Sequence, residues 1–156
     1  MIALPDIALA TAADAQPIAL ISRDEVEQGL AWKWTPARVR RAIEDRETNV
    51  VVARHGTSVV GFALMKYLED EAHLLLLAVH RNHRRRGVAT ALVAWLEATL
   101  RTAGLSRIQV EVRASNALAQ AFYAKLGFRR ARPLPRYYQG IEDGWMLVKE
   151  LAPAAA

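Results

Sequence analysis

The sequence predicts a single α/β domain of the α+β kind, a sheet with helices packed on its faces. Two observations predict it. The hydrophobic pattern switches repeatedly between the strand and helix periods, in the order β α α β β β α β α β β. The six consecutive apolar residues Leu74 to Val79 read as a strand covered on both faces, the mark of a sheet held between layers. A length of 156 residues fits about one domain, and a chain 53% hydrophobic and 24% charged has enough apolar surface to fold rather than stay disordered.

Ile7 to Ala10 reads as the first strand. Asp14 to about Gln28 is helical in pattern, with Ile18, Ile21, Val26 and Leu30 on the apolar side and Gly29 as a stop. Thr35-Pro36 supplies a cap followed by proline at the first helical position, opening a helix to about Asp45. Asn49 to Ala53 is short and β-branched, and His55-Gly56-Thr57 turns it into Val59 to Tyr67, a hairpin. After the apolar strand and the basic loop His80 to Arg86, a helix runs from Gly87 to about Arg101. Its Val88, Leu92, Trp95, Leu96 and Leu100 recur at spacings of three and four, and Gly104 closes it. Ser106 to Arg113 alternates, with Ile108, Val110 and Val112 on one face and Gln109, Glu111 and Arg113 on the other. Asn116 caps a helix to about Leu126, Gly127-Phe128 begins another strand, and Gly144 to Leu151 is the last. Residues 1–151 form the domain, and 152–156, with nothing to bury, a flexible tail.

Composition excludes several chemistries. The chain has no cysteine, which removes disulfides, thiolate metal ligands and a thiol nucleophile. It has no apolar run of the roughly 18 residues a membrane helix needs and no signal-like start, so a cytoplasmic location is expected. Lys and Arg outnumber Asp and Glu by 21 to 16, for a net charge of +5, which favours an anionic partner. His80 and His83 stand three apart with no third ligand nearby, so no metal is expected; His55 and His73 have no visible Ser or Asp partner in the sequence.

The strongest local feature is the junction of the apolar strand with Arg84-Arg85-Arg86-Gly87-Val88-Ala89-Thr90 and a helix. A helix start offers about four unsatisfied amides and roughly half a positive charge. Gly87 and Ala89 leave that backbone open, and the arginines suit phosphate, so the junction reads as a pyrophosphate cradle. A solvated basic loop, or a nucleic-acid patch built from Arg81, Arg84, Arg85 and Arg86, is the plainer alternative. A nucleic-acid module would interleave aromatic platforms with its arginines, and the basic loop has none, so it ranks well behind. Walker A and G-x-G-x-x-G patterns are both absent.

These residues resemble a known family. Arg84 to Ala89 reads R-x-x-G-x-A, a variant of the [Q/R]-x-x-G-x-[G/A] acetyl-CoA signature of the GNAT N-acetyltransferases. Glu111-Val112-Arg113-Ala114-Ser115-Asn116, followed by Phe122 to Phe128, is similar to their second signature. Within the family the likeness is to bacterial ribosomal-protein-alanine N-terminal acetyltransferases, which also carry a Tyr-Tyr then Glu-Asp segment, as in Tyr137-Tyr138 and Glu142-Asp143. The resemblance covers about Asn49 to Leu151. It implies a GNAT-like mixed, mostly antiparallel sheet with two central splayed parallel strands and helices on both faces. It also implies acetyl-CoA as co-substrate, held by Leu77, Ala78 and Val79 along its pantetheine arm and by Arg84, Arg85, Arg86, Gly87, Val88, Ala89 and Thr90 at its pyrophosphate.

The acceptor is then a primary amine, either the α-amine of a protein N-terminus or that of a small molecule such as a polyamine, an antibiotic or an amino-acid derivative. Attack is expected to be direct in a ternary complex, since no cysteine can carry the acetyl group. An amine is mostly protonated at neutral pH, so a base is needed, and Glu111 is the candidate; the alternative is a strand carboxylate paired with Arg113. Tyr123 is the candidate acid for the leaving thiolate, with a core aromatic as its alternative. The resemblance implies that Asn116 contacts the pantetheine or positions water; the alternative is that it caps its helix alone, or it does both. Trp32 and Trp34 either line the acceptor site or staple the helices to the sheet. Tyr137, Tyr138, Glu142 and Asp143 either shape the acceptor end or serve the turn. A homodimer is a further expectation of the resemblance, and a non-catalytic acyl-CoA-binding regulator a more distant reading.

Overall fold

The computed structural model describes residues 5–152. Seven strands form one sheet: β1 (Asp6–Leu9), β2 (Thr48–His55), β3 (Ser58–Tyr67), β4 (Ala72–Val79), β5 (Arg107–Arg113), β6 (Arg129–Tyr138) and β7 (Glu142–Glu150). Their order is β1-β2-β3-β4-β5-β7-β6, antiparallel throughout except where β4 meets β5. Helices α1 (Ala15–Ile21) and α2 (Pro36–Glu44) cover one face, while α3 (Val88–Thr102) and α4 (Ala117–Lys125) cover the other.

The two cores follow from strand alternation. Val51, Ala53, Ala63, Met65, Ile108, Val110 and Val112 face α3, whose Val88, Leu92, Leu96 and Leu100 recur one turn apart. Val50, Val52, Phe62 and Leu64 face α1 and α2, meeting Ile18, Ala19, Ile21 and Val39. The apolar strand is thus covered on both sides, as its composition predicts. Leu75 and Leu77 remain only partly buried, because they face hollows in the protein rather than helix.

Two sequence expectations are corrected in detail. The helix from Asp14 does not continue to Gln28: α1 ends at Ile21 and loosens into a π turn over Ser22–Val26. Ser22 donates its hydroxyl to Glu27 at 2.9 Å, and the same carboxylate accepts the amides of Lys33 and Trp34, drawing the chain out of the helix into a strap. At the other end, β7 starts two residues before Gly144. The expected tail falls mostly outside the described residues. Among those residues no helix is long and apolar enough to cross a membrane.

Candidate active site

The two parallel strands touch only at their start. Ala72, His73 and Leu74 pair with Ile108, Gln109 and Val110, and no register continues beyond them. In the β3–β4 ladder Leu64 lies opposite Leu76 and Met65 opposite Leu74, so Leu75 is an extra residue. A bulge of this kind bends its strand, and here β4 diverges from β5. From Leu76 to Val79 the backbone pairs with β3 on one side only, leaving the amides and carbonyls on the other side turned into a wedge.

Two hollows open from this wedge, one of about 320 Å³ toward the α3 end and one of about 670 Å³ beneath the strap. Glu25, Leu77, Asn116, Ala119 and Tyr123 line both. A group carried in one hollow can therefore meet a group carried in the other beside Leu77 and Tyr123.

The smaller hollow opens on the start of α3 and the basic loop before it. Gly87 caps α3 at φ +78° with no side-chain cap, and Arg85 is also left-handed at φ +63°. A Cβ on Gly87 would point into open space, so the backbone there is bare. Arg84, Arg85, Gly87, Val88, Ala89 and Thr90 line the hollow together with Leu77, Ala78 and Val79. Arg86, expected in the same cradle, is not among its lining residues. Arg84 is not free either: it donates to Glu25, as does Arg81 at 3.0 Å. The Glu25 carboxylate comes from the π turn and is 3% exposed, which ties the strap to the basic loop.

The larger hollow holds the proton-transfer candidates. Glu111 lies on its wall, hydrogen-bonded to His73 Nε2. Its expected alternative partner is otherwise engaged: Arg113 donates Nε to Glu142 at 2.9 Å and Nη1 to the Gln28 carbonyl at 2.7 Å. The Arg113 guanidinium and the Ser115 hydroxyl and amide hold the Glu142 carboxyl down at about 2. His73 has a carboxylate partner after all. The register explains why the sequence hid it: His73 pairs with Gln109, and Glu111 is the next residue on the same face of β5.

Tyr123 is a core aromatic that also faces the hollows. It is 5% exposed, packed edge-to-face between Phe122 and Phe128 at ring separations of 5.2 and 5.1 Å, and it also lines both hollows. Burial pushes its phenol far above the usual range, so it stays protonated. Asn116 caps α4 by accepting the Ala119 amide at 3.0 Å while lining both hollows. Tyr137 and Tyr138 line the larger hollow, and burial, then the nearby Glu111 charge, raises both phenols. Tyr138 fits because β7 carries glycine at 144, where a Cβ would come within 2.7 Å of its ring.

The tryptophans divide. Trp34 lines the larger hollow and packs on the α1–α2 core, whereas Trp32 is exposed and lines neither hollow. Asp143 serves the turn, accepting the Arg136 amide at 2.7 Å. Sequence reasoning missed Glu25, Glu27 and Gln139, which fasten the strap; Gln139 exchanges two hydrogen bonds with the Ala31 backbone. The Glu25 and Gln139 contacts join residues 56 to 108 positions apart, so spacing along the chain carries no trace of them, whereas those of Glu27 are local but follow no capping pattern.

Among curated proteins, the chain is 37% identical over 100 residues to an uncharacterized N-acetyltransferase of Methanocaldococcus jannaschii, spanning 64% of this chain and 64% of that protein, just under two thirds. It is 34% identical over 116 residues to the [ribosomal protein bS18]-alanine N-acetyltransferase of Escherichia coli K12, spanning 72% of this chain and 78% of that enzyme. The crystal structure of the Escherichia coli ribosomal-protein-S18-alanine N-acetyltransferase superposes with a TM-score of 0.84 at 26% identity, covering 97% of each chain. That of the PaiA N-acetyltransferase of Thermoplasma acidophilum, solved in complex with coenzyme A, does so with a TM-score of 0.81 at 17% identity, covering 93% of this chain and 98% of that one. Residues 14–128 match the model of the acetyltransferase (GNAT) family. With the splayed strands, the bare helix start and both signatures in place, the chain belongs to the GNAT family and is an acyltransferase.

Proposed function

We propose that this N-acetyltransferase moves the acetyl group of acetyl-CoA to the α-amine of a protein N-terminus, by direct attack in a ternary complex. The observation that best supports this is the meeting of two hollows at one point: the anion-ready hollow at the α3 start, and a roomier one open beneath the strap, sharing Leu77, Asn116 and Tyr123. The first suits the phosphates and pantetheine arm of coenzyme A, a ligand held by the Thermoplasma acidophilum relative. The second, at about 670 Å³, has room for a few residues of peptide, and the Escherichia coli relative is named for an alanine of a ribosomal protein.

In this reading each step belongs to a residue already placed. Amides of α3's first turn, with Arg84 and Arg85, take the pyrophosphate. An unpaired backbone amide of the wedge, among Leu77, Ala78 and Val79, polarises the thioester carbonyl. Bound acetyl-CoA supplies the activated acyl group and a thiolate leaving group. Glu111 takes the ammonium proton from the acceptor, with His73 fixing the carboxylate's orientation. The neutral amine attacks the thioester carbon, the C–S bond breaks, Tyr123 gives its proton to the departing thiolate, and the second proton shed by the new amide nitrogen restores the phenol.

The test is calorimetric titration with acetyl-CoA, followed by turnover on N-terminal peptides and on small amines. Micromolar binding with peptide kcat/KM above that of every amine tried is the expected result. Turnover confined to a polyamine or an aminoglycoside would overturn the acceptor assignment, and no acetyl-CoA binding would overturn the whole reading.

A further inference from the structure

The larger hollow contains six charged lining residues, Glu25, Glu27, Lys33, Arg38, Glu111 and Arg113, and four of them are already engaged within the protein. Glu25 holds Arg81 and Arg84, and Glu27 accepts the Ser22 hydroxyl and two strap amides. Glu111 meets His73, while Arg113 bonds Glu142 and the Gln28 carbonyl. Lys33 and Arg38 alone have side chains with no hydrogen-bond or ion-pair partner among the described residues. The hollow that carries three acidic side chains therefore presents cationic groups to whatever sits in it.

Lys33 stands on held backbone, and Arg38 packs on a ring. The Lys33 amide donates to Glu27 Oε1 at 2.7 Å, and the Gln139 amide holds Ala31 two residues away, so the strap carrying Lys33 is pinned on both sides. The Arg38 guanidinium carbon lies 3.9 Å from the centroid of the Trp34 ring, and the Trp34 amide is itself tied to Glu27. A stacked guanidinium leaves its N–H edges free, in the planar fork that fits a carboxylate with two parallel hydrogen bonds. The sequence Lys33-Trp34-Thr35-Pro36-Ala37-Arg38 produces this juxtaposition. Thr35 and Pro36 start α2, and the first turn brings Arg38 back over Trp34.

We infer that Lys33 and Arg38 form a carboxylate-recognition subsite for the acceptor, so that the preferred acceptor is a peptide with an unblocked N-terminus followed within its first few residues by Asp or Glu. The inference rests on the N-terminal acetyltransferase reading above and deepens it. The amine proceeds to Glu111, and the downstream carboxylate is held at the strap, which fixes the distance between them. Exposed charge pairs contribute modestly and are screened by salt, so the preference is one of about tenfold and shrinks as ionic strength rises.

The experiment measures kcat/KM on three peptides that share one N-terminal residue and carry acidic, neutral or basic residues at positions two to four. The wild-type enzyme favours the acidic peptide about tenfold over the neutral one. In K33Q/R38Q the acidic-to-neutral ratio collapses toward one, and in K33E/R38E the basic peptide becomes the best of the three. Acetyl-CoA affinity, read by calorimetry, verifies that each variant is folded. Equal wild-type kcat/KM on the three peptides, or a preference for the basic one, overturns the subsite while leaving the N-terminal reading intact. An acidic preference that survives K33Q/R38Q assigns it to other residues and also overturns the subsite. Acetylation of no peptide by an enzyme that binds acetyl-CoA overturns both.

Discussion

Gly87 and Gly104 stand at the two ends of α3, both left-handed, at φ +78° and +80°, and a Cβ on either would meet nothing within 4 Å. Alanine at each position therefore pays the same backbone strain, about 1–2 kcal/mol for a left-handed non-glycine residue. In a chain of this length each kcal/mol lowers Tm by about 2–4 °C. The difference lies in what the open space is. At Gly104 it is solvent beyond a helix end; at Gly87 it is the hollow lined by the first amides of α3. A methyl there holds a phosphate away from one or two backbone donors. A hydrogen bond to a charged group contributes about 1.5–3 kcal/mol, so acetyl-CoA affinity should fall about tenfold to a hundredfold. Thermal melts and calorimetric titration of Gly87→Ala and Gly104→Ala decide the matter. The two variants should melt within about 2 °C of each other while only the first loses affinity. Equal affinity in both would refute the claim that bare backbone at Gly87 binds the phosphates.

Other outcomes follow from the same geometry. Tyr123→Phe keeps the ring packed between Phe122 and Phe128 and removes only the hydroxyl, so turnover should fall about a hundredfold with acetyl-CoA affinity nearly unchanged; equal loss of both by steady-state kinetics and calorimetry would make the residue structural. Gly144→Ala puts a methyl within 2.7 Å of the Tyr138 ring and should raise the acceptor KM more than it lowers acetyl-CoA affinity, measured in the same two assays. The Glu142 carboxyl, lowered from 4.5 to about 2 by Arg113 and Ser115, stabilises the fold above the unfolded value, and that contribution is lost as pH falls from about 4.5 to about 2. The side chain is 20% exposed, and solvent screening limits the effect to about 1 kcal/mol. Urea denaturation should find Glu142→Gln less stable by that amount at pH 7 and equal to wild type near pH 2.

Much of this architecture is legible along the chain because local chemistry sets it. The period-two alternation of β5 fixes which residues face α3, and Thr35-Pro36 and Asn116 start α2 and α4 where capping rules place them. The bare start of α3 follows from Gly87 alone. What the sequence conceals lies across elements. Glu111 meets His73 instead of Arg113 because the register of β4 against β5, set over three residue pairs, brings the former together. Trp32 and Trp34 differ by two positions yet have different surroundings, because Glu27 pulls the strap out of helical geometry and no local propensity encodes that pull. The engagement of Arg84 by Glu25, 59 residues away, is hidden for the same reason.

The early parting of β4 and β5 has a consequence for the molecule outside its chemistry. Unpaired strand edges are hazards, since they invite the strand of another chain and lead to aggregation. This sheet has two outer edges, β1, of only four residues, and β6, interrupted by Pro133 and Pro135. Both are poor templates for growth. An apolar stretch paired on one side only, Leu76 to Val79, lies in the middle of the sheet, facing β5 across a wedge. The protein thus sets its one-sided strand inside the sheet, between β3 and β5, rather than along an outer edge.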